Sequence, residues 1–319
     1  MIEVEDLRKQ FVVRRGRFRR ERRIVDAVNG ISFRVGRGEL LGYLGPNGAG
    51  KSTTIKMLTG ILVPSSGRVS VAGLEPSRKR IELARRIGAM FGQRIQLWWD
   101  LPLRDSFELL RHIYRVPADR HRRSLARFRE VLDLDPFLDT PVRQLSLGQR
   151  IRGELTAAML HGPELLFLDE PTIGLDVVAK QRVRDFLVEI NREDGVTVML
   201  TTHDLGDIER LCNRLLVIDR GSLIWDGGIP ELKARYGGER TLVVDLEEPA
   251  PPLEVEGAVV DRVDGPRQWL RFTGSASALT ARVAQAARLV DLQVAEPDIE
   301  EIVRRIYASP EEVSGTRSA

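Results

Sequence analysis

The chain has 319 residues, 42% hydrophobic and 30% charged, with a formal net charge of +3. That is enough for one large domain plus a small one, and the Arg excess, all but six of the 49 basic residues, reads as coding bias and not as a nucleic-acid surface. The single Cys212 excludes an internal disulfide and suits a reducing cytosol; no apolar run reaches membrane-span length and Met1–Asp6 is no signal peptide, so the chain is expected not to cross a membrane alone.

In chain order, residues 2–5, 11–13 and 30–35 alternate in the manner of strands. Between them Arg14–Arg23 carries seven Arg and one Glu, which reads either as a solvated hairpin extension or as a contact with anionic lipid head groups. Phe11, just before this tract, reads either as a core aromatic or as a ring that stacks on a nucleobase. Leu40–Leu44 reads as a buried strand. It runs into Gly45-Pro46-Asn47-Gly48-Ala49-Gly50-Lys51-Ser52-Thr53, which fits the phosphate-loop pattern G-x-x-x-x-G-K-[ST] without a gap. Glycines there let backbone N–H groups turn inward to phosphate oxygens, Lys51 brings a compact positive charge, and the Ser52 hydroxyl can ligate Mg²⁺. A helix is expected over Lys51–Thr59, closed by Gly60, with the positive end of its dipole toward the phosphates.

Pro64–Gly67 is a turn and Arg68–Gly73 a returning strand. Arg85–Gln93 reads as a helix end entering another buried strand. Across 103–135 apolar residues recur at helical spacing (Leu103, Phe107, Leu110, Ile113 and Tyr114, then Leu125, Phe128, Val131 and Leu132), which predicts an all-helical insertion. Gln144–Gln149 opens a further helix through Met159. The apolar run Glu164–Leu168 ends in two adjacent carboxylates, Asp169 and Glu170. Helix 180–192, strand 197–201 and then Thr202-His203-Asp204 follow. Helices alternating with near-continuous apolar strands predict an α/β fold with a parallel sheet covered on both faces. In such sheets ligands sit at strand C-termini, where Gly45, Asp169 and His203 fall.

Around Tyr236 the pattern changes. Strands fit 241–246, 255–263, 269–272 and 289–294, and helices fit 276–287 and 298–307, with a proline-rich break at 248–252. This predicts a small α+β domain over 237–319 with a frayed tail from Ser309, after a first domain over 1–236 whose helical part spans about 95–160.

A phosphate loop alone signals nucleoside triphosphate binding. Asp169, at a strand end, can hold Mg²⁺, and Glu170, freed from the metal, can deprotonate an attacking water. His203 follows the neighbouring strand, within reach of a terminal phosphate. At this point residues 1 to about 236 resemble the ATP-binding cassette (ABC) ATPases. In that family's terms Gly45–Thr53 matches Walker A, Leu166–Glu170 Walker B with its catalytic glutamate, and Leu145-Ser146-Leu147-Gly148-Gln149 the signature motif. Gly174-Leu175-Asp176 matches the D-loop, His203 the switch histidine and Phe11 the base-stacking aromatic. The Q-loop glutamine is Gln93 or Gln96, with Gln93, just after the strand, preferred. The signature carries Leu147 where glycine is usual, which puts its efficiency in doubt.

The resemblance implies an α/β P-loop cassette with a mixed β core, an antiparallel β subdomain and a helical subdomain, followed by the small α+β domain. It implies ATP and Mg²⁺, with Ser52, Gln93 and Asp169 around the metal. It also implies two cassettes head to tail, with ATP between the Walker A of one and Ser146, Leu147, Gly148 and Gln149 of the other, Asp176 in the D-loop, and a homodimer expected. Closure would move an integral-membrane permease on separate chains at the cytoplasmic face, and no nucleic acid is expected. The closest subclass is the ABC-2-type export ATPases of drug- and antibiotic-resistance systems. Two other readings stand beside it: a polysaccharide or lipid exporter with a regulatory C-terminal domain, and a soluble mechanical ATPase. The last needs two fused cassettes or a long coiled coil, and this chain has neither. Between Gln93 and Pro102, where a permease's coupling helix rests in this family, lie Trp98 and Trp99; either at least one of them forms part of the docking groove or both pack the helical insertion.

Overall fold

Alternation of inward apolar and outward polar residues gives two long strands, β1 (Ile2–Arg15) and β2 (Glu21–Val35). They belong to a computed structural model that describes residues 1–15, 21–91, 95–202, 204–295 and 299–308. The two strands pair antiparallel from Ile2 opposite Val35 to Arg15 opposite Glu21. The stretches expected at 2–5 and 11–13 are thus parts of one strand, which turns at Asp6, where φ is 44°. Next come β3 (Leu40–Leu44), α1 (Lys51–Leu58) and β4 (Ser66–Val71). β4 joins β1 only as far as Arg8, giving the order β2-β1-β4. Ile2, Val4, Leu7, Ile31, Phe33 and Val35 are buried on this small sheet, whereas Phe11, Val12, Ile24 and Val25, beyond β4's reach, are exposed.

The chain continues through α2 (Arg80–Ala84), β5 (Ile87–Phe91), α3 (Leu103–Tyr114), α4 (Ala118–Val131), α5 (Leu147–Met159) and β6 (Leu165–Asp169). Then follow α6 (Val177–Asp194), β7 (Thr197–Thr201), α7 (Leu205–Leu211), β8 (Arg214–Asp219) and β9 (Ser222–Gly228). A six-stranded sheet runs β5-β6-β7-β3-β8-β9. Its first five strands are parallel. Every residue of β3 and β7 is buried, as expected of strands covered on both faces. The core joins α1 (Ile55, Met57, Leu58) to Phe167, Met199 and Leu216 and to the apolar face of the small sheet. In the helical insertion Leu103, Phe107 and Leu110 face inward, but Ile113, one step further in the same periodicity, is exposed near the end of α3. Phe128 of α4 meets Phe186 of α6 edge-on, with ring centroids 5.6 Å apart.

The chain divides into two compact units, Met1–Gly227 and Gly228–Ala319. The second holds α8 (Ile229–Tyr236), β10 (Arg240–Leu246), β11 (Ala258–Asp264), β12 (Arg267–Phe272), α9 (Ala276–Ala286), β13 (Leu289–Ala295) and α10 (Ile299–Ala308). Its antiparallel sheet has the order β11-β12-β10-β13, and Leu279 and Val283 of α9 close over Leu242, Val244, Leu270 and Phe272. Gln268, wholly buried, accepts from Leu253 N at 2.9 Å and donates to the carbonyls of Ala250 (3.1 Å) and Pro251 (2.9 Å). One side chain thereby satisfies the proline-rich segment, whose backbone has no ladder to join.

One buried ion pair ties the element ends around β6 and β7. Asp207 of α7 is fully buried and accepts from Arg184 Nε of α6 at 2.6 Å, and its other oxygen accepts from Thr172, just past β6. Removing one partner of such a pair leaves an uncompensated charge in the interior. Asp207→Ala should therefore lower stability by about 3–5 kcal/mol, read from the urea midpoint of the transition that includes the first unit. A loss under about 1 kcal/mol would mean that solvent reaches Arg184.

Candidate functional site

The C-terminal ends of β3 and β6 deliver the two halves of the site. After β3 the chain curls through Gly45–Gly50 into α1, held by Ala49 N donating to Pro46 O (3.1 Å) and Gly221 N donating to Ala49 O (3.0 Å). Gly50 caps α1 at φ 105°, and a Cβ there would collide with the carbonyl oxygen of Ala27 on β2, so only glycine lets the loop pass beneath that strand. α1 has no side-chain cap. Its first-turn N–H groups are therefore free to face an anion, and the helix dipole adds to the attraction.

That turn borders a cavity of about 620 Å³. Pro46, Asn47, Gly48, Gly50, Lys51, Ser52 and Thr53 line one side, and Asp169 and Glu170 another. Ala27, Lys56, Phe91 and Ile173 complete the wall. Gly45 and Ala49 shape the loop from behind; Ala49 is in the core. Lys51 is almost entirely buried, and its ammonium donates to the carbonyls of Gly45 and, at 3.3 Å, Pro46. Burial pushes its pKa down, partly offset by the nearby charges of Glu170 and Asp169.

Asp169 is held from two sides. Ser52 Oγ donates to its Oδ2 at 3.2 Å, and Thr201 Oγ1, at the end of β7, donates to its Oδ1 at 2.6 Å. Glu170 follows with φ 58°, a left-handed backbone that costs a non-glycine residue about 1–3 kcal/mol. Its amide donates to Thr201 O at 3.0 Å, so the end of β7 fixes the Asp169 carboxylate and the Glu170 backbone. A hydroxyl and a carboxylate side by side are the hard oxygen donors that Mg²⁺ takes, with most of its shell left to water and phosphate. Among the described residues no group of three or more His, Cys, Asp or Glu clusters as a metal site.

Other expected residues lie apart from this cavity. Ser146 caps α5 in a capping box: its Oγ accepts from Gln149 N (3.2 Å) while Gln149 Oε1 accepts from Ser146 N (2.9 Å). Leu147, part exposed, lays its Cδ2 only 2.7 Å from where a Cβ on Gly174 would stand, and the corresponding point on Gly148 is 3.4 Å from Ala179 Cβ. The first residues of α5 therefore pack on the turn before α6 and on its first turn, and the large Leu147 is accommodated because residue 174 is glycine. Asp176 caps α6, accepting from Ala179 N at 2.8 Å. Phe11 stands opposite Val25 on the β1–β2 arm with Lys9 Nζ 5.3 Å from its ring centre, and does not line the cavity. Gln93 and His203 lie outside the described residues. Gln96, the other candidate after β5, donates from Nε2 to the Ala89 carbonyl.

Of the remaining histidines, His161 is a core residue. It stacks on Tyr114 at 4.1 Å, bonds to the Ile87 carbonyl at 3.0 Å, and burial pushes its pKa down to about 4. Sequence reasoning missed Ala27, Lys56, Phe91 and Ile173. Lys56 was within reach of it, since it lies four residues beyond Ser52 on the same face of α1. Ala27 carries no chemical signal and is placed by β2 alone.

Residues 28–173 match the family described as ABC transporter. The daunorubicin resistance ATP-binding protein DrrA3 of Streptomyces coeruleorubidus is 40% identical over 221 residues, covering 68% of each chain. The linearmycin resistance ATP-binding protein LnrL of Bacillus subtilis (strain 168) is 32% identical over 286 residues, 86% of this chain and 91% of that one. A solved structure described as the ATP binding subunit of an ABC transporter superposes with a TM-score of 0.65 at 26% identity, covering 74% of this chain and 93% of that one. With its phosphate loop and paired carboxylates set on this fold, the chain belongs to the ABC transporter family as an ATP-binding, ATP-hydrolysing cassette.

Proposed function

We propose that this chain powers an ABC-2-type exporter from the cytoplasmic face of the membrane, with an integral-membrane permease on separate chains and a second cassette, a like copy, closing over ATP. The observation that carries the reading is the meeting of Ser52, Asp169 and Glu170 beside the first turn of α1. The export role draws on relatives whose names tie them to daunorubicin and linearmycin resistance. Among the described residues no helix is long and apolar enough to cross a membrane, which fits a motor that works on a separate membrane protein. The polysaccharide alternative finds little support at Trp269, whose ring carries the Arg262 guanidinium at 4.7 Å and so is no open platform for a sugar.

In this reading the α1 amides and Lys51 bind the β- and γ-phosphates, and Ser52 and Asp169, with Gln93, hold Mg²⁺. Mg²⁺ supplies charge neutralisation for the leaving phosphates. Glu170 takes the proton of the attacking water, and His203 meets the γ-phosphate. Phe11, on the β1–β2 arm, is the aromatic assigned to the base. Ser146, Leu147, Gly148 and Gln149 present a helix N-terminus to the nucleotide of the second cassette, with Asp176 between the two sites. The cassette is assigned by sequence pattern to 1–236 and the accessory domain to 237–319, whereas the compact units divide at Gly227/Gly228 and so put α8 with the accessory domain.

We assign the permease-docking groove to at least one of Trp98 and Trp99, which are 37% and 47% exposed, and this exposure supports the reading. Large apolar side chains shown together mark an interaction site, and Trp is the residue most often central to one.

Two outcomes test this reading. Glu170→Gln should retain ATP binding, accumulate an ATP-bound dimer and lower steady-state phosphate release at least ~100-fold, the scale of a lost general base; near-normal turnover would remove Glu170 from that role. Trp99→Ala should leave ATP affinity and thermal stability of the isolated chain intact while reducing recovery of the membrane subunit in co-purification. If both single Trp variants instead destabilise the chain and neither affects assembly, the two indoles are core residues.

A further inference from the structure

Glu154 lies on α5, eight residues past the Ser146 cap, and is only 5% exposed. Among the described residues it forms no ion pair with a cation. Its carboxylate accepts instead from backbone amides: Gln96 N at 3.0 Å to Oε1 and 3.1 Å to Oε2, and Leu97 N at 3.4 Å. Burying a carboxylate is costly, so a position that needed packing alone would be filled better by an apolar side chain. The segment it holds belongs to no helix or strand and is tied down by side chains throughout. Gln96 Nε2 donates to Ala89 O of β5, and Trp98 N donates to the buried Ser106 Oγ of α3 at 3.2 Å. Gly153, beside Glu154, makes room for the same segment: a Cβ there would come within 3.2 Å of Leu97 Cδ1 and 2.8 Å of Leu103 Cδ1.

We propose that Glu154 is a positioning residue for hydrolysis, the strut that makes the Ile95–Trp98 segment and helix α5 move as one body. The segment ends on the exposed Trp98, next to Trp99, and in sequence leads back to Gln93. Eight residues of α-helix rise about 12 Å, so a rigid α5 carries a push on Trp98 directly to Ser146. This rests on the roles proposed above for Gln93 and Ser146.

Burial pushes the Glu154 pKa up to about 7, opposed by the amides of Gln96 and Leu97 and by the charge of Arg150 one turn earlier on α5. From the other elements packed here, Ala89 of β5, Leu97 of the segment and Leu103 and Ser106 of α3 bring no titratable group. The strut is strongest as a carboxylate, because hydrogen bonds to an ionised acceptor are roughly twice as strong as neutral ones. Hydrolysis should therefore gain from deprotonation near pH 7. Folding has the opposite sign: with a folded pKa above the unfolded 4.5, this group favours the folded chain below pH 4.5 and that contribution is lost as pH rises through about 7.

The experiment compares full-length wild type, Glu154→Gln and Glu154→Ala by amide hydrogen exchange and by ATP hydrolysis against pH. Both variants should lose about tenfold or more of the protection at residues 96–97, the scale of one charge-assisted hydrogen bond, while peptides over Gly45–Thr53 stay unchanged. KM for ATP should hold, kcat should fall, and the wild-type rise in kcat near pH 7 should vanish in Glu154→Gln. Unchanged protection in the variants overturns the strut. Lost protection with wild-type kcat and an unaltered pH profile also overturns the proposal, leaving Glu154 a packing residue. If Glu154→Ala does not fold, the isosteric Glu154→Gln decides alone. The exchange arm uses no hydrolysis, so an inactive wild-type chain would count against the ATPase reading separately.

Discussion

The site depends on the hydrogen bonds that converge on Asp169. Ser52 reaches it from α1 and Thr201 from β7, so one carboxylate fixes the phosphate loop to the neighbouring strands. The parallel register makes this possible. Leu168 and Asp169 stand level with Leu200 and Thr201, and β3 lies on the far side of β7, so three strands end together. A slip of one residue in β6 would turn Asp169 to the opposite face and leave Ser52 without its partner. The same β7 end receives the Glu170 amide, and the left-handed backbone of Glu170 is the conformational cost of bringing a second carboxylate into the same cavity.

What the sequence made legible was local. The phosphate loop, the helix after it and the Gly60 stop are determined by residues within one or two turns of each other, and Gly60 does take φ 74°. The short apolar strands were readable because a strand buried on both faces has no polar alternation to confuse it. The strands of the second unit and its helices α9 and α10 were readable from their punctuation by proline and glycine.

What escaped was tertiary. The continuity of β1 was hidden because its polar stretch from Arg8 to Gln10 interrupts the alternation while the backbone ladder to β2 continues. α8 is only eight residues long, and its stability comes from burying Ile229 and Leu232, not from any strong local signal. No sequence signal singles out Glu154, and only the approach of Gln96 and Leu97 reveals it as a buried acceptor. Leu147 reads as a defect in the signature turn, and the contact with Gly174 shows how the turn accommodates it. Chemistry-bearing residues were named by motif, but their orienting partners, Thr201 above all, required the fold.

The central claim is that Asp169, held by Ser52 and Thr201, organises a divalent-dependent ATPase site. Its most direct test is Mg²⁺-dependent phosphate release by the purified full chain beside Asp169→Asn, with ATP binding measured in parallel in the presence and absence of Mg²⁺. The account predicts that wild-type hydrolysis requires the divalent ion, and that Asp169→Asn loses at least ~100-fold of it, together with the Mg²⁺-dependent part of ATP affinity. Hydrolysis by Asp169→Asn at the wild-type rate, with the same Mg²⁺ dependence, would contradict it.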